Sequence, residues 1–225
     1  MKKYLFALAA LSLIFACTPE NNNNDHLGPC PSGAVDLGLS VYWGTTNIGA
    51  SKPEDYGDYY AWGETEPKEK YSWPNYKFGT SASGPFSKYN TKSSFGTVDN
   101  KTVLEPEDDV AHVKLGGKWR MPTDAEWTEL RTKCTWTWVT NYNGSGINGE
   151  LVESTNGNSI FLPAAGYRSY VQFLGVGSFG HYWSPSLTFY PRDARCGVSF
   201  ASNSVGGGDG GSERRWGQSV RPVSE

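Results

Sequence analysis

The sequence predicts an α+β domain: a strand pattern comes first, two short helical patterns follow, and a long run of strand patterns closes the chain. Three observations lead there. Apolar residues alternate at Val35, Leu37, Leu39, Val41 and Trp43, the period of a half-buried strand. Two helix starts can be read between positions 106 and 134. After Trp136, short apolar runs alternate with Gly/Asn turns, the signature of successive hairpins. A chain of 225 residues with 27 Gly, 13 Pro, 14% aromatic and 19% charged residues fits one loop-rich, aromatic-rich core.

The first 16 residues read as a signal peptide. Lys2 and Lys3 precede an apolar run from Tyr4 to Ala16, which is too short to span a bilayer. Ile14-Phe15-Ala16-Cys17 resembles a bacterial lipobox, which implies cleavage before Cys17 and lipidation of its thiol. Residues 17–33 carry the run Asn21-Asn22-Asn23-Asn24 and little to bury, so they read as a flexible tether to a domain over 34–225. The expected location is the outer membrane, with the domain at the cell surface or on the periplasmic face. Three further cysteines remain, Cys30, Cys134 and Cys196; an odd count leaves at least one unpaired or paired between chains, and a Cys30–Cys134 bridge stays open.

Along the domain, 34–49 predicts an N-terminal hairpin, Lys52–Gly57 a turn and Asp58–Glu64 a short aromatic strand. Residues 65–101, with Pro67, Pro74 and Pro85, predict a long ordered excursion whose rings are pinned to the core. Pro106-Glu107-Asp108-Asp109 opens a short helix with Val110, Val113 and Leu115 apolar and Gly116-Gly117 as its stop. Thr123-Asp124-Ala125-Glu126 matches a capping box, and Trp127 and Leu130 carry the second helix toward Cys134. Strands are expected at 136–142, 150–154, 159–163, 180–184, 196–201 and 218–223, with Trp183 in the core.

Three islands carry a family resemblance: Ala34–Ser40 with Tyr59–Pro67, then Gly116–Thr123, then Tyr182–Ser184 with Gly217–Val223. Together they resemble the Fibrobacter succinogenes major paralogous domain, common in exported lipoproteins of Bacteroidetes. That resemblance implies a C-type lectin-like fold, with two helices and twisted antiparallel sheets whose N- and C-terminal strands pair, and long loops on one side. Trp119–Trp127 is also similar to a signature of formylglycine-generating enzymes. A helix cap flanked by two large core-filling rings explains those residues without chemistry.

Few function classes remain. A formal charge of −3 with no basic run argues against nucleic acid. An oxidase of the formylglycine type needs a cysteine pair, and only Cys196 lies in the C-terminal region; no nucleophile–base spacing or phosphate loop occurs, so no enzyme and no cofactor is expected. Carboxylates at Glu107, Asp108 and Asp109 are explained by a helix start, and His26, His112 and His181 are too dispersed for a local zinc site, so no metal is expected.

The remaining class is a binding module. The stretch from Ser184 to Trp216 reads as displayed surface, mixing aromatic and charged groups with flexible glycines. The expected ligand-binding residues are His181, Phe189, Tyr190, Arg192, Asp193, Arg195, Ser202, Ser204, Asp209, Arg214, Arg215 and Trp216, and the expected partner is a protein or a glycan. The membrane is met through the lipid anchor only. Related C-type lectin-like proteins include variable targets of diversity-generating retroelements, in which template adenines are randomised. Changes at the first two positions of an asparagine codon never give Lys, Glu, Gln, Met or Trp. Those five make up 38 of the 225 residues, yet 189–212 holds none, so the segment is a candidate for diversification. The competing expectation is a structural or adhesion subunit of a surface assembly, and a distant third is an oxidase similar to formylglycine-generating enzymes that has lost or moved its cysteines.

Overall fold

The computed structural model describes residues 27–207 and 211–225. Its element order is α+β: strands, two helices, then strands again, with every named strand pair antiparallel. Strands β1 (Ala34–Val35) and β2 (Tyr42–Gly44) form the N-terminal hairpin, and β12 (Val223–Ser224) pairs with β2. The two ends of the domain therefore share one small sheet. The expected strand over Asp58–Glu64 does not form. Tyr60 makes a single two-way backbone bridge with Gln218, and Gly63 turns the chain with φ 77°.

The excursion over 65–101 is ordered by its rings, as expected: Tyr71, Tyr76, Phe78, Phe86 and Tyr89 are all buried. The first helix is shorter than the pattern suggested. Pro106–Asp108 is a 3-10 turn, and helix α1 (Val110–Leu115) begins only after Asp109, whose carboxylate accepts from the backbone of Ala111 and His112. Val110 packs inward, whereas Val113 and Leu115 are exposed, because six residues present only one narrow face to the core. Helix α2 (Asp124–Lys133) has the expected capping box: the Thr123 hydroxyl accepts from Glu126 N at 3.3 Å, and the Glu126 carboxylate accepts from Thr123 N at 2.8 Å. Trp127 is buried on its inner face, but Trp119 stays half exposed and fills no core volume.

Strands β3 (Thr135–Val139), β4 (Gly149–Glu153) and β5 (Ser159–Pro163) form the expected pair of hairpins. A further hairpin, β6 (Tyr167–Ser169) with β7 (Gln172–Leu174), was not read from the sequence. Strand β8 (Phe179–Leu187) pairs with β9 (Asp193–Ala201); along the other edge of β9 lie β10 (Ser204–Gly207) and β11 (Gly211–Glu213).

The core has two parts. One packs the ordered excursion and α1 against Trp183 and Ala194; the other packs α2, β1 and β2 against β4, β5, β8 and β9. Trp127 is central to the second, edge-on to Trp43 at 4.8 Å. A Cβ at Gly197 would overlap the Trp127 indole, so strand β9 needs glycine where the helix ring presses on it. Arg221 is fully buried and closes the sheet ends: Nε donates to Asn47 Oδ1 at 2.9 Å, Nη1 to Gly44 O at 2.9 Å and Nη2 to Phe161 O at 2.8 Å. Cys30 is disulfide-bonded while Cys134 and Cys196 are free thiols, so the Cys30–Cys134 bridge considered above does not form.

Candidate functional site

The segment from Ser184 to Trp216 is not a displayed loop. Most of it is the central strand β9 and its neighbours, with Leu187, Ala194, Cys196, Val198 and Phe200 buried. The exposed residues collect at the two ends of the β8–β9 hairpin. The register sets His181 opposite Ser199 and Leu187 opposite Ala194, so five steps of β9 at about 3.3 Å each, about 17 Å, separate the two ends and divide the expected single surface in two.

At the turn end, Phe189 is 75% exposed and meets Tyr190 edge-on at 5.2 Å. Lys92 Nζ lies 3.6 Å and 4.3 Å from the two ring centroids. Arg192 is half exposed but spends Nε and Nη2 on Asp193 at 2.9 and 3.0 Å, and Asp193 itself is largely buried. Asp193 therefore orients Arg192 and offers no free contact.

At the other end lies a groove of about 520 Å³ lined by Tyr167, Phe179, His181, Ser199, Ser204 and Trp216, over a floor that includes Phe200. Tyr167 stacks on Trp216 at 4.9 Å and meets His181 edge-on at 5.4 Å. Phe179 is half exposed on the rim. Burial holds the His181 imidazolium below its ordinary pKa, so the ring is neutral near pH 7. Among the described residues no charged side chain lines it. Ser202 is exposed in the two-residue turn between β9 and β10, beside this rim.

Other expected contacts lie elsewhere. Arg214 is fully buried: Nη1 donates to Tyr89 O at 3.0 Å, and its Cζ is 4.2 Å from the Phe86 ring centroid and 5.4 Å from that of Tyr76. It is a core cation in an aromatic cage, which its charge in the sequence concealed. Arg215 pairs with Glu213 at 2.7 Å and donates to Tyr71 O at 3.0 Å, away from the groove lining. Arg195 lies 3.5 Å from Asp124 at the start of α2, half exposed and separate from both ends. Asp209 and the lipidation residue Cys17 fall outside the described residues, as does the signal peptide.

Two constellations resemble chemistry. Cys196 Sγ lies 3.8 Å from His181 Nδ1, but the thiol is buried, donates to Val198 O at 3.0 Å and is pushed up to about 12 by burial. A protonated, enclosed thiol is no nucleophile at neutral pH. Among the described residues one acidic cluster has metal-ligating character, Glu105, Glu107 and Asp108. Lys88 Nζ lies 2.6, 3.1 and 2.5 Å from these carboxylates, and Lys77 Nζ lies 2.6 Å from Asp108, so the cluster already holds cations of its own.

The residues missed from the sequence are Tyr167, Phe179 and the β6–β7 hairpin. Its two-residue turn, Tyr170-Val171, projects with Val171 63% exposed, and Tyr170 has φ 54°. That is the first turn position, which type II′ hairpins give to glycine, so no turn signal marked it. No protein-family model matches the chain, nor does any curated protein or solved structure.

Proposed function

We propose that the protein is an exported, non-catalytic binding module that takes a protein or glycan ligand in the groove of Tyr167, His181 and Trp216. The observation that carries this reading is the stacked Tyr167–Trp216 pair beside an open cavity in which, among the described residues, no charged side chain takes part and the Ser199 and Ser204 hydroxyls make no hydrogen bond. Flat rings with neighbouring hydroxyls and a neutral imidazole favour a partner with an apolar face and hydrogen-bonding edges. The enclosed Cys196 thiol supports recognition over catalysis.

The C-type lectin-like assignment is part of this reading. It is supported by two helices set among antiparallel sheets and by the pairing of β12 with β2. Among the described residues of 189–212, diversification would act through the exposed positions Phe189, Tyr190, Arg192, Ser202, Asn203, Ser204 and Gly211, because the alternate residues of β9 are core.

The test is a screen of immobilised glycans and cell-surface proteins with the wild-type protein, Tyr167→Ala/Trp216→Ala and Cys196→Ala. The reading requires that binders be lost with the aromatic pair and kept without the thiol. A binder indifferent to Tyr167 and Trp216 removes the groove from the account.

A further inference from the structure

Behind the β6–β7 hairpin, on the face opposite the groove, lies a second cavity of about 540 Å³. Strand alternation explains the division: Arg168 and its cross-strand partner Phe173 point to this side, Tyr167 and its partner Leu174 to the other. Tyr56, Tyr59, Pro67, Tyr71, Phe173 and Val176 form most of its wall. Two of these rings are fixed before any ligand arrives. The Tyr59 hydroxyl donates to Ala165 O at 2.6 Å, the Tyr71 hydroxyl donates to Tyr59 O, and the Tyr71 backbone is bonded both ways to Tyr170.

One cation lines this apolar wall. Arg168 Nη1 donates to Lys68 O at 3.0 Å and Nη2 to Glu69 O at 2.9 Å, while its Cζ sits 5.0 and 4.5 Å from the Tyr71 and Phe173 ring centroids. Each terminal nitrogen keeps a second N–H, and no carboxylate pairs with this guanidinium among the described residues. Asp58 also borders the cavity, but its carboxylate is directed away, toward the Tyr60 hydroxyl at 3.2 Å and toward Gly49, both of which line a different cavity.

We propose that this cavity binds a small monocarboxylate with an apolar or aromatic body. The carboxylate is held by the spare N–H groups of Arg168, and the body covers Phe173 and Val176, which otherwise face water. A planar guanidinium fork without an anion matches a planar carboxylate. A single positive charge within apolar walls selects a monoanion over a phosphate or an ammonium ligand.

The experiment is calorimetric titration of the full chain with 3-phenylpropionate and octanoate, and with the primary amide of each. At least one acid is expected to bind with a Kd below about 1 mM and its amide at least about tenfold more weakly. Arg168→Gln should abolish that difference and Arg168→Lys should retain part of it, which separates charge from the tie to the Lys68 and Glu69 carbonyls. Phe173→Ser, at an exposed position, should weaken acid and amide together. Trp216→Ala should leave these titrations unchanged, so the fate of this cavity is independent of the groove. Equal binding of acid and amide, no acid binding at about 10 mM, or an acid preference that survives in Arg168→Gln overturns the proposal.

Discussion

The indole of Trp216 and the phenol of Tyr167 stack with centroids 4.9 Å apart, although one follows β11 and the other begins β6. Two distant segments thus supply one aromatic floor. Both rings are half-buried, so truncation reaches the binding face more than the core. Trp216→Ala should weaken a groove ligand at least about tenfold and cost no more than about 2 kcal/mol of stability. Binding isotherms and denaturant melts of one preparation check both.

Gly197 is the position where β9 yields to Trp127. Gly197→Ala forces the indole or the strand to move, and overpacking of this kind costs about 1–3 kcal/mol. A urea melt should register that loss, and Gly206→Ala, where an added Cβ meets only Ser199 beyond 3.5 Å, should lose less.

Glu150 is buried in β4 between Trp138 and Leu162, and its carboxyl group makes no hydrogen bond among the described residues. Burial pushes its carboxyl up to about 7 from 4.5. The folded state therefore keeps a proton that the unfolded chain has already lost. This contribution to stability is complete below about pH 4.5 and disappears as the pH rises through 7. Glu150→Gln should stabilise the protein by about 2 kcal/mol at pH 8 and change little at pH 4.5. Thermal melts of both proteins across that range measure the difference.

Tyr170 holds φ 54° at the hairpin tip, a left-handed conformation that costs a side chain about 1–2 kcal/mol. Tyr170→Gly should leave stability equal or raise it by up to about 1 kcal/mol, because the backbone bonds to Tyr71 remain. A fall of more than about 1 kcal/mol in a denaturant melt would mean that the Tyr170 ring contacts, with Arg215 at 5.4 Å, outweigh the strain.

Cys196 should resist alkylation in the native protein at pH 8 and react on unfolding, since its thiol is enclosed and its pKa lies about 12. Mass spectrometry after a timed iodoacetamide pulse distinguishes the two states. Rapid native labelling would return the Cys196–His181 pair to consideration as chemistry.

Where residue type and local spacing decide structure, the sequence was legible. The capping box at Thr123–Glu126, the hairpins from Thr135 to Pro163 and the buried rings of the excursion all follow from such local rules. Long-range packing was not legible. Arg214 reads as a surface charge until Tyr76, Phe86 and Trp62 are folded around it. The expected strand over 196–201 forms the greater part of β9, but its start at Asp193–Arg195 was read as displayed surface because those residues are small or charged. Of the expected binding residues, His181, Ser204 and Trp216 line one groove, while Phe189, Tyr190 and Arg192 gather at the far turn; only the β8–β9 pairing reveals that separation.

The most direct test of the groove is fluorine NMR on protein labelled with 5-fluorotryptophan, which gives a signal for each of nine tryptophans. Loss of one signal in Trp216→Phe assigns Trp216. A ligand recovered from the screen should move the Trp216 resonance and leave the buried Trp43, Trp62 and Trp127 in place. A ligand that binds with Trp216 unmoved contradicts the account, and the recognition surface must then lie elsewhere.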